Sequence, residues 1–408
     1  MKQFLLISFG LMLAAAAQAQ TLSQVYAFDS CPAPYYACPD GAKPGSIIQA
    51  SDGNLYGLTE SSNGMHGTQI GGWYEGGSLF KIVPSTGQFT LLFTFKATNG
   101  YYSNGSQPKS LLEGPDGYLY GVADGANNSN PGAGVLFKVS KTGTNFQVLQ
   151  RYCFGCTNGS DPDDIVVGTD RNLYGTTQIG GSFTATICQG LGCGLVFRLT
   201  TSGAYTVLHA LNGTNEGSYP NGVIQASDGN LYGTTYTAPG ILFRVNPSTG
   251  QFTTLYTFPS GIAPITPVMQ ASNGLLYGVS KASTGGNLTI FSSDLKGSVQ
   301  NLGQVTCTRT KVTGFILGKL IEASDGNLWG VCNAGGSTSY GEVFSVTLAG
   351  NLVTTVPFHD TDGAYPEAGV IQAKDGTLYG TTFDGGTDSQ GKLAYGNVYA
   401  IHGLPAVH

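Results

Sequence analysis

The sequence predicts an all-β fold: a seven-bladed β-propeller with four-stranded blades, whose ring is closed by an N-terminal strand that pairs into the last blade. Three observations predict it. One short motif recurs seven times, and each copy carries the signals of four short strands. The last copy lacks a fourth strand, and the start of the mature chain offers a match for it.

The recurring motif reads Asp-Gly-Asn-Leu-Tyr-Gly in its clearest copies, and each copy later shows an aliphatic–aromatic pair such as Leu79-Phe80 or Leu242-Phe243. The seven copies begin at Asp52, Asp116, Asp170, Asp228, Asn273, Asp325 and Asp375. Asp-Gly between apolar runs is a tight-hairpin signal, and no stretch has helical periodicity. Four-stranded units repeating at about fifty residues are propeller blades. We expect the Gly after the Tyr to make room for closely approaching backbone.

Ring closure is predicted from the two ends of the chain. The last copy stops at Val398-Tyr399-Ala400-Ile401, after its third strand. Near the N-terminus, Val25-Tyr26-Ala27-Phe28 resembles Leu255-Tyr256-Thr257-Phe258, which ends a fourth strand. Residues Thr21 to Phe28 are therefore expected to complete blade seven and to cover its open edge.

The first residues, MKQFLLISFGLMLAAAAQAQ, are typical of a secretory signal. We expect residues 1–19 to be removed by cleavage before Gln20, leaving residues 20–408 as one propeller domain that is secreted, either extracellular or periplasmic. No later segment is apolar for long enough to span a bilayer. Charged residues make up 10% of the chain, the net charge is −6, and no basic stripe occurs, so nucleic acid is not an expected partner. A monomer is expected.

The eight cysteines form four pairs of near neighbours in sequence, and the oxidising conditions outside the cytoplasm favour disulfide bonds in an exported protein. The expected pairs are Cys31 with Cys38, Cys153 with Cys156, Cys188 with Cys193 and Cys307 with Cys332. Cys153 and Cys156 also have the spacing of a redox motif, but no helix follows to lower a thiol pKa. A zinc site is disfavoured because suitably spaced His residues are lacking.

The two faces of the predicted ring differ. Turns between first and second strands and between third and fourth strands are short, whereas the other connections are long and variable. We call these the short-turn face and the long-loop face. Long loops on a rigid scaffold commonly carry binding sites. Three of them carry aromatic pairs suited to sugar rings or a protein surface, or alternatively to anchoring the loops themselves: Tyr35 and Tyr36, Trp73 and Tyr74, Tyr101 and Tyr102.

A second motif, Gly followed three residues later by Pro, enters every blade except the sixth, from Gly41 and Pro44 to Gly363 and Pro366. Turn geometry explains it. No cofactor is predicted; calcium is a weaker alternative, with Asp360 and Asp362, or Asp161, Asp163 and Asp164, as ligands.

Sequence motifs for catalysis are absent, with neither a G-x-S-x-G elbow nor an H-E-x-x-H helix. His66 and His359 fall in loops of the long-loop face. Carboxylates expected on the same face, some of which could act as a hydrolytic pair, are Glu60, Glu75, Asp124, Glu216 and Asp384.

The repeated kernel, from D-G-N-L-Y-G-T-T through G-x-V/L-F-K/R to a T-x-L-x-x-F strand, resembles the GloVer-type tandem repeat (choice-of-anchor) family of secreted bacterial proteins. The resemblance covers nearly all of residues 21–401 and is specific at Asp170 to Thr177, Asp228 to Thr235 and Asp375 to Thr382. It implies a propeller of undefined activity, and it defines no catalytic residue. More distantly, the kernel is similar to streptogramin-lyase-like propellers, whose catalytic His and Glu find no match by position.

These inferences predict a secreted binding or interaction module that recognises a polysaccharide or a cell-surface partner through its long-loop face. The alternative is an extracellular propeller hydrolase or lyase, of glycoside-hydrolase or streptogramin-lyase type, using carboxylates or His on that face. A purely structural envelope protein is a third class.

Overall fold

Seven antiparallel sheets form the ring in a computed structural model that describes residues 20–29, 37–63, 75–96, 103–125, 134–153, 155–181, 188, 190–237, 239–282, 287–307, 318–335 and 337–407. The aromatic pairs Tyr35/Tyr36, Trp73/Tyr74 and Tyr101/Tyr102, together with Cys31, His66 and the predicted signal segment, lie outside these residues. The predicted all-β class, the seven four-stranded blades and the closure by the N-terminal strand are confirmed.

The blades follow one another along the chain, each running from the channel outward. Blade one consists of β2 (Ala37–Gln49), β3 (Leu55–Asn63), β4 (Glu75–Val83) and β5 (Gln88–Lys96), and blade two of β6 (Ser106–Glu113), β7 (Leu119–Asp124), β8 (Gly134–Val139) and β9 (Gln147–Arg151). Blade three consists of β10 (Ser160–Val167), β11 (Leu173–Ile179), β12 (Leu195–Leu199) and β13 (Tyr205–Ala210). Blade four consists of β14 (Ser218–Gln225), β15 (Leu231–Thr237), β16 (Ile241–Val245) and β17 (Phe252–Thr257).

The later blades keep this order with shorter inner strands. Blade five consists of β18 (Ile262–Pro264), β19 (Met269–Gln270), β20 (Leu276–Ala282), β21 (Asn287–Ser293) and β22 (Val299–Thr306). Blade six consists of β23 (Ile321–Glu322), β24 (Leu328–Cys332), β25 (Glu342–Val346) and β26 (Leu352–Pro357). Blade seven contains β27 (Ile371–Gln372), β28 (Leu378–Thr382) and β29 (Asn397–His402). In blade five β18 and β19 together form the inner strand, since both pair with β20.

The N-terminal strand β1 (Thr21–Ala27) completes blade seven. It pairs antiparallel with β29 from Thr21 opposite His402 to Ala27 opposite Asn397. Beyond the strand, Phe28 is fully buried in the cluster between blades seven and one, where its ring lies edge-on to Phe80 at 5.3 Å. The segment from Thr21 to Phe28 therefore serves as a fourth strand and also joins the two ends of the propeller.

Seven hydrophobic clusters of described residues hold the ring together, one at each junction between adjacent blades. The motif aromatic is buried in every blade: Tyr56, Tyr120, Tyr174, Tyr232, Tyr277, Trp329 and Tyr379. The Gly after it makes room chiefly for the aromatic ring of the third strand rather than for backbone. A Cβ on Gly57, for example, would lie 2.3 Å from Cζ of Phe80.

The motif Asp has two partners. In blade one, Oδ1 of Asp52 accepts the backbone N–H of Asn54 at 3.2 Å, which is the expected turn. Its Oδ2 accepts the hydroxyl of Tyr56 at 2.8 Å. Equivalent Asp–Tyr bonds occur at Asp116, Asp170 and Asp228, and Trp329 donates its indole N–H to Asp325. The motif thus couples the hairpin to the buried aromatic ring, whose polar tip needs a partner.

The Gly-x-x-Pro motif is a bulge at the start of the inner strand rather than a turn. The residue before the proline has positive φ in five blades: Lys43, Gln107, Asp161, Tyr219 and Tyr365. The proline packs on the Gly that opens the third strand of the preceding blade. A Cβ on that Gly would lie 2.4–2.8 Å from the proline Cδ in the pairs Gly77/Pro108, Gly134/Pro162, Gly194/Pro220, Gly240/Pro264, Gly341/Pro366 and Gly396/Pro44.

The junction between blades five and six lacks both members of this contact. Leu288 stands where the other blades have the Gly, and blade six has no motif proline. A disulfide between Cys307, just after β22, and Cys332, at the end of β24, joins the same two blades. A covalent link therefore occurs at the junction where the repeated packing contact is missing.

A polar contact on the short-turn face also recurs between blades. The backbone N–H just before the hairpin of one blade donates to a Gln or Glu that ends the inner strand of the next, as from Ser227 to Gln270 at 2.7 Å. The other pairs are Ser51/Glu113, Thr169/Gln225, Ser272/Glu322, Ser324/Gln372 and Lys374/Gln49. At the junction of blades two and three, Pro115 has no N–H and Val167 has no acceptor. There Arg171 donates instead to the carbonyl of Pro115 at 2.8 Å.

Disulfides join Cys153 to Cys156, Cys188 to Cys193 and Cys307 to Cys332, which are pairings that the sequence suggested. Cys38 is also disulfide-bonded. The described residues contain no helix with the length and apolarity needed to cross a bilayer.

Candidate functional site

The mouth of the central channel on the long-loop face is lined by the bulges that open the inner strands. The residue after the motif proline occupies an equivalent place in the six blades that have the motif: Gly45, Lys109, Asp163, Asn221, Ile265 and Glu367. Its type differs from blade to blade, although the surrounding motif is constant. The repeated backbone therefore presents a different residue from each of these blades at one opening.

Charged side chains gather on one side of this mouth, on the adjacent blades seven, one, two and three. We call this set the charged arc. It consists of Lys43, Glu60, Lys109, Asp124, Asp161, Asp163, Asp164, Glu367 and Asp384. Carboxylates outnumber ammonium groups, and all nine residues are at least partly shielded from solvent.

Lys109 is the centre of the arc between blades two and three. Its Nζ lies 2.8 Å from Oδ1 of Asp124 and 2.6 Å from Oδ1 of Asp161. Burial alone would lower the pKa of Lys109, but these two carboxylates raise it above its usual value. Burial raises the pKa of Asp124 in spite of the nearby ammonium. The lysine therefore stays charged and fixes carboxylates from two blades.

Asp163 and Asp164 extend the arc along β10. Ser110 donates its hydroxyl to Oδ1 of Asp164 at 2.7 Å, which ties β6 to β10. Asp163 is contacted by the amide of Gln178 at 3.4 Å. Burial, assisted by the negative charge of Asp164, raises the pKa of Asp163 to about 6. This carboxyl group titrates closer to neutrality than an ordinary Asp.

Glu60 and Glu367 face each other across the junction of blades one and seven, with Lys43 beside both. Burial raises the pKa of Glu367 to about 7, and the charge of Glu60 adds to the effect while Lys43 opposes it. Burial also raises the pKa of Glu60. The Lys43 ammonium lies 4.6 Å from the centre of the Phe383 ring, which holds it over an aromatic face. Two carboxyl groups whose pKa values are raised thus lie beside one lysine.

On blades four and five, the described residues that follow the motif proline are uncharged. Asn221 donates to Oγ1 of Thr234 at 3.1 Å and to the carbonyl of Pro264 at 3.2 Å, which closes the junction of blades four and five. The position after the motif proline is charged in blades two, three and seven, whereas in blade five it is Ile265. The mouth is therefore polarised across the channel.

The carboxylates and histidines predicted from the sequence separate into two groups. Glu60, Asp124 and Asp384 belong to the charged arc. Glu216 instead accepts from His209 at 3.0 Å in the loop entering blade four, and His359 pairs with Asp362 at 3.2 Å. The side chain of Glu75 lies outside the described residues. In the part of the chain that the structure describes, no group of three or more His, Cys, Asp or Glu side chains is placed to hold a metal ion.

Sequence reasoning missed Lys43, Lys109 and Glu367 as site residues. Their signal was present in the Gly-x-x-Pro motif: a charged residue flanks the proline in four of its six copies, from blades one, two, three and seven. Because turn geometry alone explains the motif, the charged residues beside it gave no separate indication of a site.

Fold and site together define a seven-bladed propeller with a polarised channel mouth. The chain belongs to the Gloeobacter/Verrucomicrobia repeat family, whose model matches residues 60–260 and 184–394. No curated protein matches the chain significantly.

Solved structures show the same fold at low sequence identity. The periplasmic gluconolactonase of Pseudomonas aeruginosa is 15% identical, with 77% of this chain and 84% of that chain covered and a TM-score of 0.50. An oligogalacturonate lyase of Vibrio parahaemolyticus is 12% identical, covering 95% and 98%, with a TM-score of 0.52. The extracellular domain of a protein assigned to the hybrid two-component systems of B. thetaiotaomicron is 15% identical, covering 90% and 40%, with a TM-score of 0.53. These likenesses concern the fold alone.

Proposed function

We propose that this protein is an exported binding module that holds a carbohydrate at the long-loop mouth of its channel. The observation that carries the proposal is the charged arc: four adjacent blades direct shielded carboxylates and lysines to one opening, where the repeat itself requires no charge. Carboxylates accept hydrogen bonds from sugar hydroxyl groups, and lysine ammonium groups donate hydrogen bonds to sugar oxygens. Polar groups converging on an opening are the usual mark of a ligand site.

Export is part of the same proposal. It is supported by the disulfides, since such bonds persist in oxidising compartments. The predicted removal of residues 1–19, the monomeric state and the aromatic pairs at Tyr35, Trp73 and Tyr101 with their neighbours remain predictions. Those aromatic residues would enlarge a sugar-binding face around the arc.

The test is a binding screen against neutral, amino and acidic oligosaccharides, followed by calorimetry on the strongest ligand. Replacing Glu367 with Gln keeps the shape of the side chain and removes its charge, so the affinity should fall by about tenfold or more if the arc holds the ligand. Glu322→Gln is the matched control, because Gln fills the equivalent position in blades one, four, five and seven. Equal loss in both variants, or binding in neither the wild type nor the variants, would refute the proposal.

A second candidate function is acid–base catalysis at the same mouth. The observation that favours it is the pKa of Glu367, raised to about 7 beside Glu60, since a group poised near the working pH can both give and take a proton. The gluconolactonase and the oligogalacturonate lyase of the same fold suggest sugar lactones and oligogalacturonates as first substrates. Turnover that survives both Glu60→Gln and Glu367→Gln would exclude these two carboxyl groups as its source.

A further inference from the structure

A groove lies on the long-loop face between blades four and five, across the mouth from the charged arc. Its volume is about 230 Å3, and its lining includes Tyr236, Ile262, Ile265 and Lys281. Ile265 follows the motif proline of blade five, so the inner end of the groove opens onto the channel mouth. We call it the Tyr236 groove.

The walls of the Tyr236 groove are apolar, with one cation at the edge. Tyr236 is 52% exposed, and it is the sole aromatic residue among the large exposed hydrophobic side chains that the structure describes. An aromatic face beside isoleucine side chains suits the C–H face of a sugar ring, while the ring hydroxyls can stay in water because the groove is open. Lys281 carries a compact ammonium group that pairs well with a carboxylate.

Size restricts what the groove can hold. Pockets for drug-sized ligands measure about 300–1,000 Å3, so 230 Å3 fits a single ring rather than an oligosaccharide. Charge restricts it further. The carboxylates of the arc, on the opposite side of the mouth, repel an anionic group. Lys281, in the groove itself, attracts one.

We infer that the Tyr236 groove binds the six-membered ring of a sugar acid, with the ring against Tyr236 and the carboxylate toward Nζ of Lys281. This inference rests on the proposed function, because it takes the long-loop face to bind carbohydrate. It adds a subsite and a ligand charge that the charged arc alone does not specify.

The experiment compares methyl glucuronide with methyl glucoside, two rings that differ in a carboxylate, by saturation-transfer NMR and by titration at millimolar concentrations in low salt. The wild type should bind the glucuronide about tenfold more tightly, the effect of one charge-assisted contact. Lys281→Gln should abolish this preference and leave the glucoside unchanged, and Tyr236→Ala should weaken both. Lys296→Gln, an exposed lysine on the short-turn face, is the control.

The outcomes separate the subsite from the proposed function. If oligosaccharides bind and depend on Glu367, but Tyr236→Ala and Lys281→Gln change nothing, the subsite is wrong and the proposed function stands. If the groove variants lose binding while Glu367→Gln does not, the subsite stands and the arc is wrong. No binding of either glycoside by the wild type overturns the subsite.

Discussion

Gly396 of the last blade packs against Pro44 of the first, so closely that a Cβ on the glycine would lie 2.5 Å from the proline Cδ. The same Gly–Pro contact joins five other pairs of blades, and here it joins the two ends of the chain. One repeated contact therefore serves both for ordinary junctions and for closing the ring. The backbone N–H of Lys43 donates to the carbonyl of Tyr395 at 2.9 Å in the same place, which stabilises the bulge that begins the channel mouth.

Gly396→Ala should destabilise the ring strongly. Its φ is +95°, and the added methyl would also meet the carbonyl of Thr382 at 2.4 Å, so strain and overpacking together should cost about 2–5 kcal/mol. Gly391→Ala is the matched control: its φ is +75°, but nothing lies within 4 Å, so only about 1–2 kcal/mol is expected. Urea denaturation measures both. Equal effects would show that the proline contact is unimportant.

Removing the disulfide between blades five and six should cost more stability than removing the one within the loop before blade three. The chain-entropy relation gives about 3.5 kcal/mol for the separation of 25 residues between Cys307 and Cys332, and about 1.6 kcal/mol for the separation of 3 between Cys153 and Cys156. The double Ser variants of each pair can be compared by thermal unfolding. A larger loss from the Cys153 pair would contradict the compensating role of the Cys307 pair.

Deleting residues 20–27 should destabilise all seven blades together. The deletion removes β1, exposes the edge of β29 and takes Val25 and Tyr26 out of the cluster between blades seven and one. Full burial of two large apolar side chains would be worth about 3–6 kcal/mol, and these two are partly buried, so their own contribution is smaller than that. Deleting residues 404–408 removes five residues from the other terminus, of which the described ones, 404–407, lie outside any strand, and should cost less. A truncated protein that unfolds at the wild-type temperature would refute the role of β1 in closure.

Stability should depend on pH through Glu367. Its folded pKa of about 7 exceeds the ordinary value of 4.5, so between these two pH values the folded state holds a proton that the unfolded state has lost. The stability contribution is therefore highest below pH 4.5 and declines until about pH 7. Glu367→Gln should raise the melting temperature by about 1–3 °C at pH 8 and change it little at pH 4.5. The opposite pattern, stabilisation at acid pH only, would mean that the carboxyl group is not shielded as described.

The architecture could be predicted from the sequence because each of the seven repeats carries the same strand and turn signals. Seven hairpin turns, five of them Asp-Gly, a motif aromatic in every blade and a Gly three positions before the third-strand aromatic in six blades leave little choice of register. The partner of the Asp carboxylate was not predictable in the same way. A turn already explains an Asp before Gly, so nothing in the sequence required the bond to the tyrosine hydroxyl four residues later.

The charges that flank the motif prolines are visible in the sequence, but their grouping into the charged arc is not, because its members come from distant parts of the chain. Glu60 and Glu367 become neighbours only when β1 closes the ring and places blade seven beside blade one. The pKa values of the arc follow from burial, which sequence patterns do not show for side chains at a channel mouth. The departures from the repeat at Leu288, Val167 and Pro115 are visible in the sequence. Their explanation needs the structure, because each belongs to a contact between blades in which both partners have been replaced.

The most direct test of the functional account is a crystal structure of the protein soaked with the oligosaccharide that binds most tightly in the screen. The account predicts ligand density at the long-loop mouth, with sugar hydroxyls within hydrogen-bonding distance of Glu367, Lys109 or their neighbours in the charged arc. Density confined to the short-turn face or to the outer strands, with the mouth occupied only by solvent, would contradict it.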